Sequence, residues 1–412
     1  MAGLLADIRV LDFTQFLSGP YCTQILGDLG AEVIKIEPPE GDSSRSVPPH
    51  FVAGDSAYFL AINRNKRSIV VDLRRPEGRD IAIALARRAD IVVENFRPGV
   101  MDRLGLGYDV LSAQNPALVW CSISGFGQDG PYRDRPAYDM IVQAMSGGMS
   151  MTGLPGGPPV RMGVPVGDLG AGLYAAIGIL AALQRRAREG KGSVVDVSML
   201  DCQIAMLCYQ ASYHLQGGVV PGPQGRGHDS IPTYRCFTAR DGRDVALTAN
   251  TERMWRGLCT VLDRAALIDE PRFASMAERN RHRADLVPLL EEAFRARDAD
   301  DWTARLLAAG VAAATVNTVD RALADPQVRH RGMVREMLGS AIGHADAEAR
   351  RASVAGNPIK VAGEESPARY PAPLGADARA VLADVLGLDE ARIAALLRDG
   401  VVAEAPSGAQ AR

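Results

Sequence analysis

The alternation of strand-like and helix-like patterns over the first 125 residues constrains the fold more than any other feature of this sequence. Short apolar runs typical of buried strands are separated by segments of helical periodicity, one of which starts at Pro76, a favoured first-turn residue. The strand-like runs are Ile8–Phe13, Glu32–Ile36, Ser68–Leu73, Ile91–Phe96 and Leu118–Ser124, and the helical segments are Tyr21–Leu29 and Glu77–Ala89. This order predicts an α/β fold with a mostly parallel sheet covered by helices on both faces.

The rest of the chain departs from this alternation. Residues 125–167 are rich in Gly and Pro, and an ordered loop of that length is usually functional. An apolar helix is predicted from about Leu169 to Arg188, and a second unit is predicted over residues 230–325. A strand is predicted at Ser193–Val197, before this unit. The unit itself begins with two strands, Thr233–Thr238 and Asp244–Ala249. Two helices are predicted near the C-terminus, at Ala376–Leu386 and Asp389–Arg398.

Composition excludes several classes of protein. The 412 residues carry 46 Lys+Arg and 49 Asp+Glu, which is too balanced for a dedicated nucleic-acid or anionic-membrane binder. The most apolar run, Leu169 to Leu183, is about fifteen residues, too short to span a bilayer. The six cysteines form no C-x-x-C pair and the six histidines show no metal spacing, so we expect no metal, no disulfide framework and a reducing cytoplasm.

One motif imitates a dinucleotide-binding fingerprint. Gly125 to Gly130 reads GFGQDG directly after a predicted strand. That fingerprint needs a helix to begin at the loop, so that its N-terminus meets the pyrophosphate. Pro131 and Pro136 follow instead and no helical period begins, so we do not expect NAD binding.

Asp168 is the residue that the pattern singles out for chemistry. It follows the Gly/Pro-rich stretch 163–167 and directly precedes the most apolar helix. A plain helix N-cap would explain it, with the carboxylate accepting helix N–H bonds. The same place would also suit a nucleophile that stays ionised, with adjacent free N–H groups to stabilise an oxyanion. The spacing alone leaves both interpretations open.

Ten segments, taken together, resemble the family III coenzyme A transferases. This group contains formyl-CoA transferase and carnitine CoA-transferase, with the α-methylacyl-CoA racemases as relatives. The segments are VLDF (10–13), SGP (18–20), LGAEVIKIE (29–37), NKRS (65–68) with Asp72-Leu73, VENFRPG (93–99), DRLG (102–105), GFG (125–127), Gly167-Asp168, GILAAL (178–183) and PLG (373–375). The resemblance spans about residues 5–402.

The resemblance implies that Asp168 is the catalytic nucleophile of a CoA-transferase. Coenzyme A would move from an acyl-CoA donor, with succinyl-CoA expected, to a small or medium carboxylic acid, through aspartyl mixed-anhydride and aspartyl-CoA thioester intermediates. No metal, resident cofactor or general base is needed, since both nucleophiles are anions. The implied CoA-binding residues are Gln15, Phe16, Leu17, Ser18, Val71, Arg74, Asn95, Phe96, Arg103, Ala137 and Tyr138.

Departures from the family pattern bear on the substrate. Formyl-CoA transferase has glutamine at the position of Leu17 and arginine at that of Pro38, and it has a tetraglycine loop that residues 217–227 match only loosely. These differences disfavour formate and oxalate. The alternative is a racemase or other acyl-CoA isomerase, which would need histidine at position 138 and glutamate near Thr251; Glu252 is one residue away. A non-catalytic acyl-CoA binder is the third reading, and Asp168 disfavours it.

The resemblance also implies an architecture. It predicts a large Rossmann-like domain in 1–200, completed by the C-terminal part 346–412, and a small α+β domain in 230–325. Linkers at 201–229 and 326–345, expected to have little regular structure, would allow each chain to thread through its partner in an interlocked homodimer. The expected partners are acyl-CoA and carboxylic acids, without nucleic acid or membrane.

Overall fold

The buried strands predicted from the sequence assemble into one seven-stranded sheet in the computed structural model, which describes residues 3–338 and 351–404. The strands are β1 Arg9–Asp12, β2 Glu32–Glu37, β3 Phe51–Val52, β4 Asp55–Ser56, β5 Lys66–Val71, β6 Ile91–Glu94, β7 Val119–Ser124, β8 Ser193–Ser198, β9 Arg235–Thr238, β10 Asp244–Thr248, β11 Ala312–Thr315, β12 Val334–Leu338, β13 Arg351–Ala355 and β14 Val402–Ala403. The large sheet has the order β14-β5-β2-β1-β6-β7-β8, in which all pairs but β14–β5 are parallel. The predicted α/β architecture with a large, mostly parallel sheet is confirmed.

Helices cover both faces of this sheet. Over both units of the described chain, the helices are α1 Ser18–Asp28, α2 Ala57–Ile62, α3 Pro76–Ala86, α4 Val100–Arg103, α5 Tyr108–Ser112, α6 Asp139–Met145, α7 Gly148–Met151, α8 Val166–Glu189, α9 Met199–Met206, α10 Tyr209–Gly217, α11 Glu252–Val261, α12 Met276–Arg281, α13 Arg283–Phe294, α14 Ala299–Ala308, α15 Val319–Ala324, α16 Pro326–His330, α17 Ala378–Asp384 and α18 Glu390–Arg398. Short 3₁₀ turns occur at Ser43–Ser46, Ala265–Leu267 and Pro271–Phe273.

Two cores result, one on each face. Because successive strand residues point to opposite faces, Val10 joins α1 and α8 in one core, whereas Leu11 joins α3, α17 and α18 in the other. Burial on both faces explains why apolar residues follow one another in these strands, as in Val10-Leu11 of β1, Ile69 to Val71 of β5 and Ile91 to Val93 of β6.

The chain divides into two units. One contains Met1–Gly148, Arg161–Leu215 and Gln327–Arg412, and the other contains Met149–Val160 and Gln216–Pro326. The second unit has an antiparallel sheet, β11-β10-β9, whose first hairpin matches the predicted strand–turn–strand. The predicted boundaries at 200, 229, 325 and 345 are finer than this division and stay a prediction. Of the predicted segments, 339–345, 346–350 and 405–412 lie outside the described residues.

Two local predictions are wrong. Residues 201–217, expected to be irregular linker, lie almost wholly in α9 and α10, and the described start of the second predicted linker contains α16 and β12. The helix predicted from about Leu169 to Arg188 is confirmed as α8, and its 24 residues extend beyond the apolar run of about fifteen at both ends. Among the described helices, α8 has the length and apolar composition to cross a membrane, and half of its most apolar stretch is buried inside the protein. A core helix shows the same two properties.

Candidate active site

A crevice opens where the order of the parallel strands reverses. From β1 the chain adds β2 and β5 on one side and then β6, β7 and β8 on the other, so the loops after β1 and β6 diverge. Ligands of open α/β sheets bind in such a crevice, outside the carboxyl ends of the strands. A cavity of about 260 Å³ lies there, lined by residues of both loops and by Asp168.

Asn95 ties the two diverging loops together. Its side-chain oxygen accepts the Gln15 N–H at 2.8 Å, and its amide nitrogen donates to the Gln15 carbonyl at 2.8 Å. The same nitrogen lies 3.4 Å from Ser18 Oγ, to which it donates. One side chain at the end of β6 therefore fixes the loop that follows β1.

Asp168 is not the N-cap of its helix. The helix α8 begins at Val166 with Pro165 as the capping residue, so Asp168 is the third helical residue. The capping role belongs to Asp139 of α6, whose carboxylate accepts the Gly167 N–H at 2.8 Å. The N-cap interpretation is wrong, and the Gly167 N–H is committed to Asp139 rather than free for an oxyanion.

Glycines in the first turns of α8 allow close packing beside Asp168. A Cβ on Gly172 would lie 2.7 Å from the Ser18 carbonyl oxygen, and one on Gly170 would lie 2.9 Å from Met206 Sδ. These glycines bring α8 against α1 and α9. Their small size is therefore used for helix packing.

The carboxyl group of Asp168 is difficult to ionise in this position. Asp168 is only 9% exposed. Burial raises the pKa of its carboxyl group to about 7, and the nearby negative charge of Asp139 adds to the shift. A hydrogen bond from Ser18 and the positive charge of Arg161 act in the opposite direction. Its ionisation is therefore less favourable than that of an ordinary carboxyl group, which the sequence pattern alone does not indicate.

Asp139 is held by groups from three segments. Besides the Gly167 N–H, its carboxylate accepts hydrogen bonds from Gln143 Nε2 at 2.8 Å and from Arg161 Nη2 at 3.1 Å. Asp139 is 7% exposed, whereas the Arg161 side chain is 40% exposed. The negative charge that opposes ionisation of Asp168 is thus fixed in place.

The structure brings most of the predicted site residues together. Eight predicted CoA-binding residues line the cavity with Asp168, namely Gln15, Phe16, Leu17, Ser18, Asn95, Phe96, Ala137 and Tyr138. The other three lie outside its lining. Val71 is fully buried in β5, Arg74 is exposed and pairs with Asp72 at 2.8 Å, and Arg103 is exposed at the end of α4. The binding role of all eleven residues stays a prediction.

Three arginines in the lining were missing from the predicted binding set. Arg97 follows β6, and Arg133 and Arg135 stand in the loop before Ala137 and Tyr138. The guanidinium of Arg135 lies 3.6 Å from the centre of the Tyr132 ring, an arrangement that fixes its orientation. The signal that could have found the last two was their place directly before two predicted thioester contacts.

The residues that a racemase would need are otherwise engaged. Thr251 is the N-cap of α11, and its side chain accepts the Met254 N–H. The neighbouring Glu252 pairs with Arg279 at 2.5 Å, and the hydrogen bond from Arg279 lowers the Glu252 pKa. Within residues 3–338 and 351–404, no group of three or more His, Cys, Asp or Glu side chains could hold a metal ion.

Comparisons of the sequence and of the structure with known proteins all indicate the same family. The model of the family described as CoA-transferase family III matches residues 5–378. The chain is 37% identical over 400 residues to succinyl-CoA:glutarate CoA-transferase of Homo sapiens, covering 97% of this chain and 90% of that protein. It is 38% identical over 376 residues to acetyl-CoA:oxalate CoA-transferase of Acetobacter aceti, covering 90% and 92%. The crystal structure of a CAIB/BAIF family protein from Brucella suis superposes with a TM-score of 0.83 at 37% identity, covering 93% and 100%.

Proposed function

This chain belongs to CoA-transferase family III, and on that premise we propose that it moves coenzyme A from an acyl-CoA donor, succinyl-CoA, to a small or medium carboxylic acid. The observation that carries the proposal is the position of Asp168. Its carboxyl group is buried, yet it lines the cavity at the strand-order reversal, among residues suited to hold a CoA thioester. A nucleophile needs this combination of protection from water and access to substrate.

The reaction proceeds through covalent intermediates on Asp168. Its carboxylate attacks the donor thioester carbonyl, the C–S bond breaks, and a mixed anhydride and CoA thiolate result. The thiolate then attacks the Asp168 carbonyl carbon, the donor acid leaves, and an aspartyl-CoA thioester remains. The acceptor carboxylate attacks that thioester and expels the thiolate, which takes the acceptor acyl group and releases the Asp168 carboxylate.

Other residues of the crevice have supporting roles. Ser18 lines the cavity with Asp168, and its hydroxyl favours the ionised form of the carboxyl group. Arg97, Arg133 and Arg135 put three positive charges in the cavity lining, and guanidinium groups suit the phosphates of CoA. We propose that these three arginines contribute to phosphate binding in addition to the predicted Arg74 and Arg103.

Substitution of Asp168 tests the covalent mechanism. Asp168→Asn and Asp168→Ser should abolish transfer while the protein stays folded and still binds CoA. Incubation with acyl-CoA followed by hydroxylamine or borohydride, with peptide mapping by mass spectrometry, should place the adduct on Asp168. An active Ser variant, or an adduct on another residue, would contradict the proposal.

A panel of donors and acceptors identifies the substrates. The names of the relatives suggest glutarate and oxalate as the first acceptors, each with succinyl-CoA and acetyl-CoA, followed by larger acids and formate. The new CoA ester is measured by chromatography. The departures at Leu17 and Pro38 predict that oxalate and formate are poor acceptors, and the oxalate name of one relative makes that prediction worth testing first.

The racemase alternative lacks its acid–base pair. Position 138 is tyrosine rather than histidine, and the Glu252 carboxylate is bonded to Arg279. Two-sided exchange of an α-proton needs two well-placed bases. Racemisation of a 2-methylacyl-CoA without any acceptor acid would overturn the transferase assignment.

We also propose a homodimer of the interlocked kind. In its support, the helices α8, α9 and α10 expose apolar side chains that a monomer would leave in water, among them Leu173, Ile177, Ile204, Met206 and Leu215. Light scattering should give about twice the chain mass of 43.9 kDa. A species at the mass of one chain would contradict this.

The proposal further includes a cytoplasmic location and no metal or resident cofactor. The steps above use only the Asp168 carboxylate and the thiolate of the substrate. Transfer should therefore survive exhaustive treatment with a chelator, and a loss that added divalent metal restores would contradict this part.

A further inference from the structure

Four charged side chains that the mechanism does not use lie buried beneath the loop after β1. Asp12, Lys35, Asp42 and Lys66 are each at most 1% exposed. Lys35 Nζ lies 2.8 Å from Asp42 Oδ2, and Lys66 Nζ lies 3.0 Å from Asp12 Oδ2. Buried ion pairs contribute little net stability, because desolvation offsets their attraction. Stability alone therefore does not account for these four buried charges.

These side chains bond the backbone of the cavity loop. Asp12 accepts the Thr14 N–H at 2.8 Å, Lys35 donates to the Thr14 carbonyl at 2.6 Å, and Asp42 accepts the Phe16 N–H at 3.2 Å. Asn95 bonds the Gln15 N–H and carbonyl that lie between them. Every polar backbone group from the Thr14 N–H to the Phe16 N–H therefore has a side-chain partner.

The loop needs this restraint because Phe16 has an unfavourable backbone conformation. Its φ is +68°, in the left-handed region, where a residue with a Cβ loses roughly 1–2 kcal/mol. The Phe16 ring lines the cavity, 5.4 Å from the ring centre of Tyr58 and 6.2 Å from that of Tyr138. Two residues further on, Ser18 lines the same cavity as Asp168 and favours the ionised form of its carboxyl group. Relaxation of Phe16 would move both contacts.

Both cations of this buried cluster are lysines, a residue type that is rare in this sequence. The sequence has only four lysines, at positions 35, 66, 191 and 360, among 46 basic residues, yet two of them occupy this cluster. The single nitrogen of Lys35 reaches both a carbonyl and a carboxylate in a fully buried space. The larger planar guanidinium of arginine, common elsewhere in the chain, differs in shape and donor geometry.

The pair is charged at neutral pH. Burial by itself lowers the Lys35 pKa, but the carboxylates of Asp12, Asp42 and Glu37 outweigh it and the pKa is raised. Burial likewise acts to raise the Asp42 pKa, and the charge of Lys35 outweighs it, so that the pKa is lowered.

We propose that Lys35 and Asp42 are positioning residues of the transfer reaction, which hold Phe16 in its left-handed conformation and thereby keep Phe16 and Ser18 in their places in the cavity lining beside Asp168. This inference rests on the proposed function. Four side chains influence the ionisation of Asp168: Ser18 of α1, Tyr58 of α2, Asp139 of α6, and Arg161, which lies before α8. Of these, only Ser18 belongs to α1, the helix that directly follows the restrained loop.

The test is the pH dependence of kcat/KM in Asp42→Asn. Since the Ser18 hydroxyl lowers the Asp168 pKa, its displacement should shift the acid limb to higher pH, and kcat/KM at pH 7 should fall about tenfold or more. Ser18→Ala should give the same direction of shift. The double variant Ser18→Ala/Asp42→Asn should shift no further than Ser18→Ala alone, because both changes act on one contact.

A matched control separates positioning from stability. Asp28→Asn makes the same change in another buried carboxylate, 3% exposed, whose partner is Arg64. It should lower the melting temperature without moving the acid limb. If Asp42→Asn does not fold, Lys35→Met/Asp42→Asn removes both charges and should show the same shift. An unmoved limb in a folded variant, or an equal shift in Asp28→Asn, would overturn the proposal.

Failure of the proposed function would look different. The unsubstituted protein would then transfer no CoA at all with any donor and acceptor. A readout without substrate covers that case, since carbodiimide labelling of Asp168, followed across pH by mass spectrometry, reports the ionisation of its carboxyl group. The labelling midpoint should rise in Asp42→Asn and stay fixed in Asp28→Asn, and an unchanged midpoint in Asp42→Asn would overturn the positioning role.

Discussion

Among single residues, Asp168 shows most clearly how burial and reactivity are coupled. The carboxyl group is kept from water near the negative charge of Asp139, and both effects raise its pKa to about 7. A more basic carboxylate is a stronger nucleophile once ionised, but a smaller fraction of it is ionised at low pH. The raised pKa therefore makes the ionised carboxylate more reactive but narrows the pH range over which it is ionised.

The first prediction is the acid limb of the pH profile. We expect kcat/KM to fall about tenfold per pH unit below about pH 7, because only ionised Asp168 attacks. Arg161→Gln should move this limb to higher pH, since the charge of Arg161 favours the ionised form. Profiles measured with one donor and one acceptor check both statements, and a limb near pH 4 would contradict the first.

The second prediction concerns stability. A carboxyl group whose pKa is raised by folding contributes stability in full below its unfolded pKa, near 3.8, and loses it as the pH rises through about 7. Asp168→Asn removes this loss, because the amide stays neutral. The variant should be more stable than the unsubstituted protein at pH 8.5, by up to about 4 kcal/mol for a shift of about three units. Urea unfolding at pH 8.5 and pH 5 measures it, and the gain should shrink at pH 5. Equal stabilities at pH 8.5 would contradict this prediction.

Among the secondary-structure elements, the contact between α8 and α1 sets the distance from Asp168 to Ser18. Gly172 is one turn beyond Asp168 and lies against the backbone of α1, where a Cβ would approach the Ser18 carbonyl to 2.7 Å and Tyr21 Cδ1 to 3.0 Å. A backbone carbonyl within a helix has little freedom to move away. The absence of a side chain at this one position therefore helps to shape the site.

The third prediction follows from this contact. Gly172→Ala should push the two helices apart, cost about 1–3 kcal/mol, and lower kcat/KM about tenfold or more. Gly178→Ala is the control, because it lies on the same helix and its Cβ would meet only the side chain of Val195. The control should keep its activity. Equal activities in the two variants would show that the α8–α1 distance does not limit catalysis.

At the scale of the whole molecule, the end of the chain completes the first domain. The strand β14 pairs antiparallel with β5, and α17 and α18 bury apolar side chains on one face of the sheet. Asp377, just before α17, accepts the Ser68 N–H at 2.8 Å. Residues some 300 positions apart thus share one core.

The fourth prediction is that this end is indispensable. A chain that ends at Ala376 loses seven buried apolar residues, namely Ala378, Val381, Leu382, Ile393, Leu396, Val401 and Val402. At about 1.5–3 kcal/mol for each large one, the loss is comparable with the whole stability of a domain. Circular dichroism and limited proteolysis should show an unfolded or aggregated product. A chain that ends at Glu404 keeps α17, α18 and β14 and should fold, and a cooperative thermal transition in the shorter chain would contradict the prediction.

The sequence by itself determined the elements and the family. The runs predicted as β1, β2, β5, β6 and β7 are strands to within two residues at either end, because a strand buried on both faces carries consecutive apolar residues, and that is a local property. The motifs around residues 10–37, 93–105 and 167–168 likewise identified the CoA-transferases, since a family pattern is carried by the order of residues alone.

Only the tertiary structure decided the state of the site. That α8 starts at Val166 depends on Asp139, 28 residues earlier, accepting the Gly167 N–H. That Arg97, Arg133 and Arg135 line the cavity while Arg74 does not depends on which loops meet at the strand-order reversal. The ionisation of Asp168 depends on burial and on charges from other segments. Desolvation and Coulomb interactions act through space, so no pattern local to residue 168 could have given them.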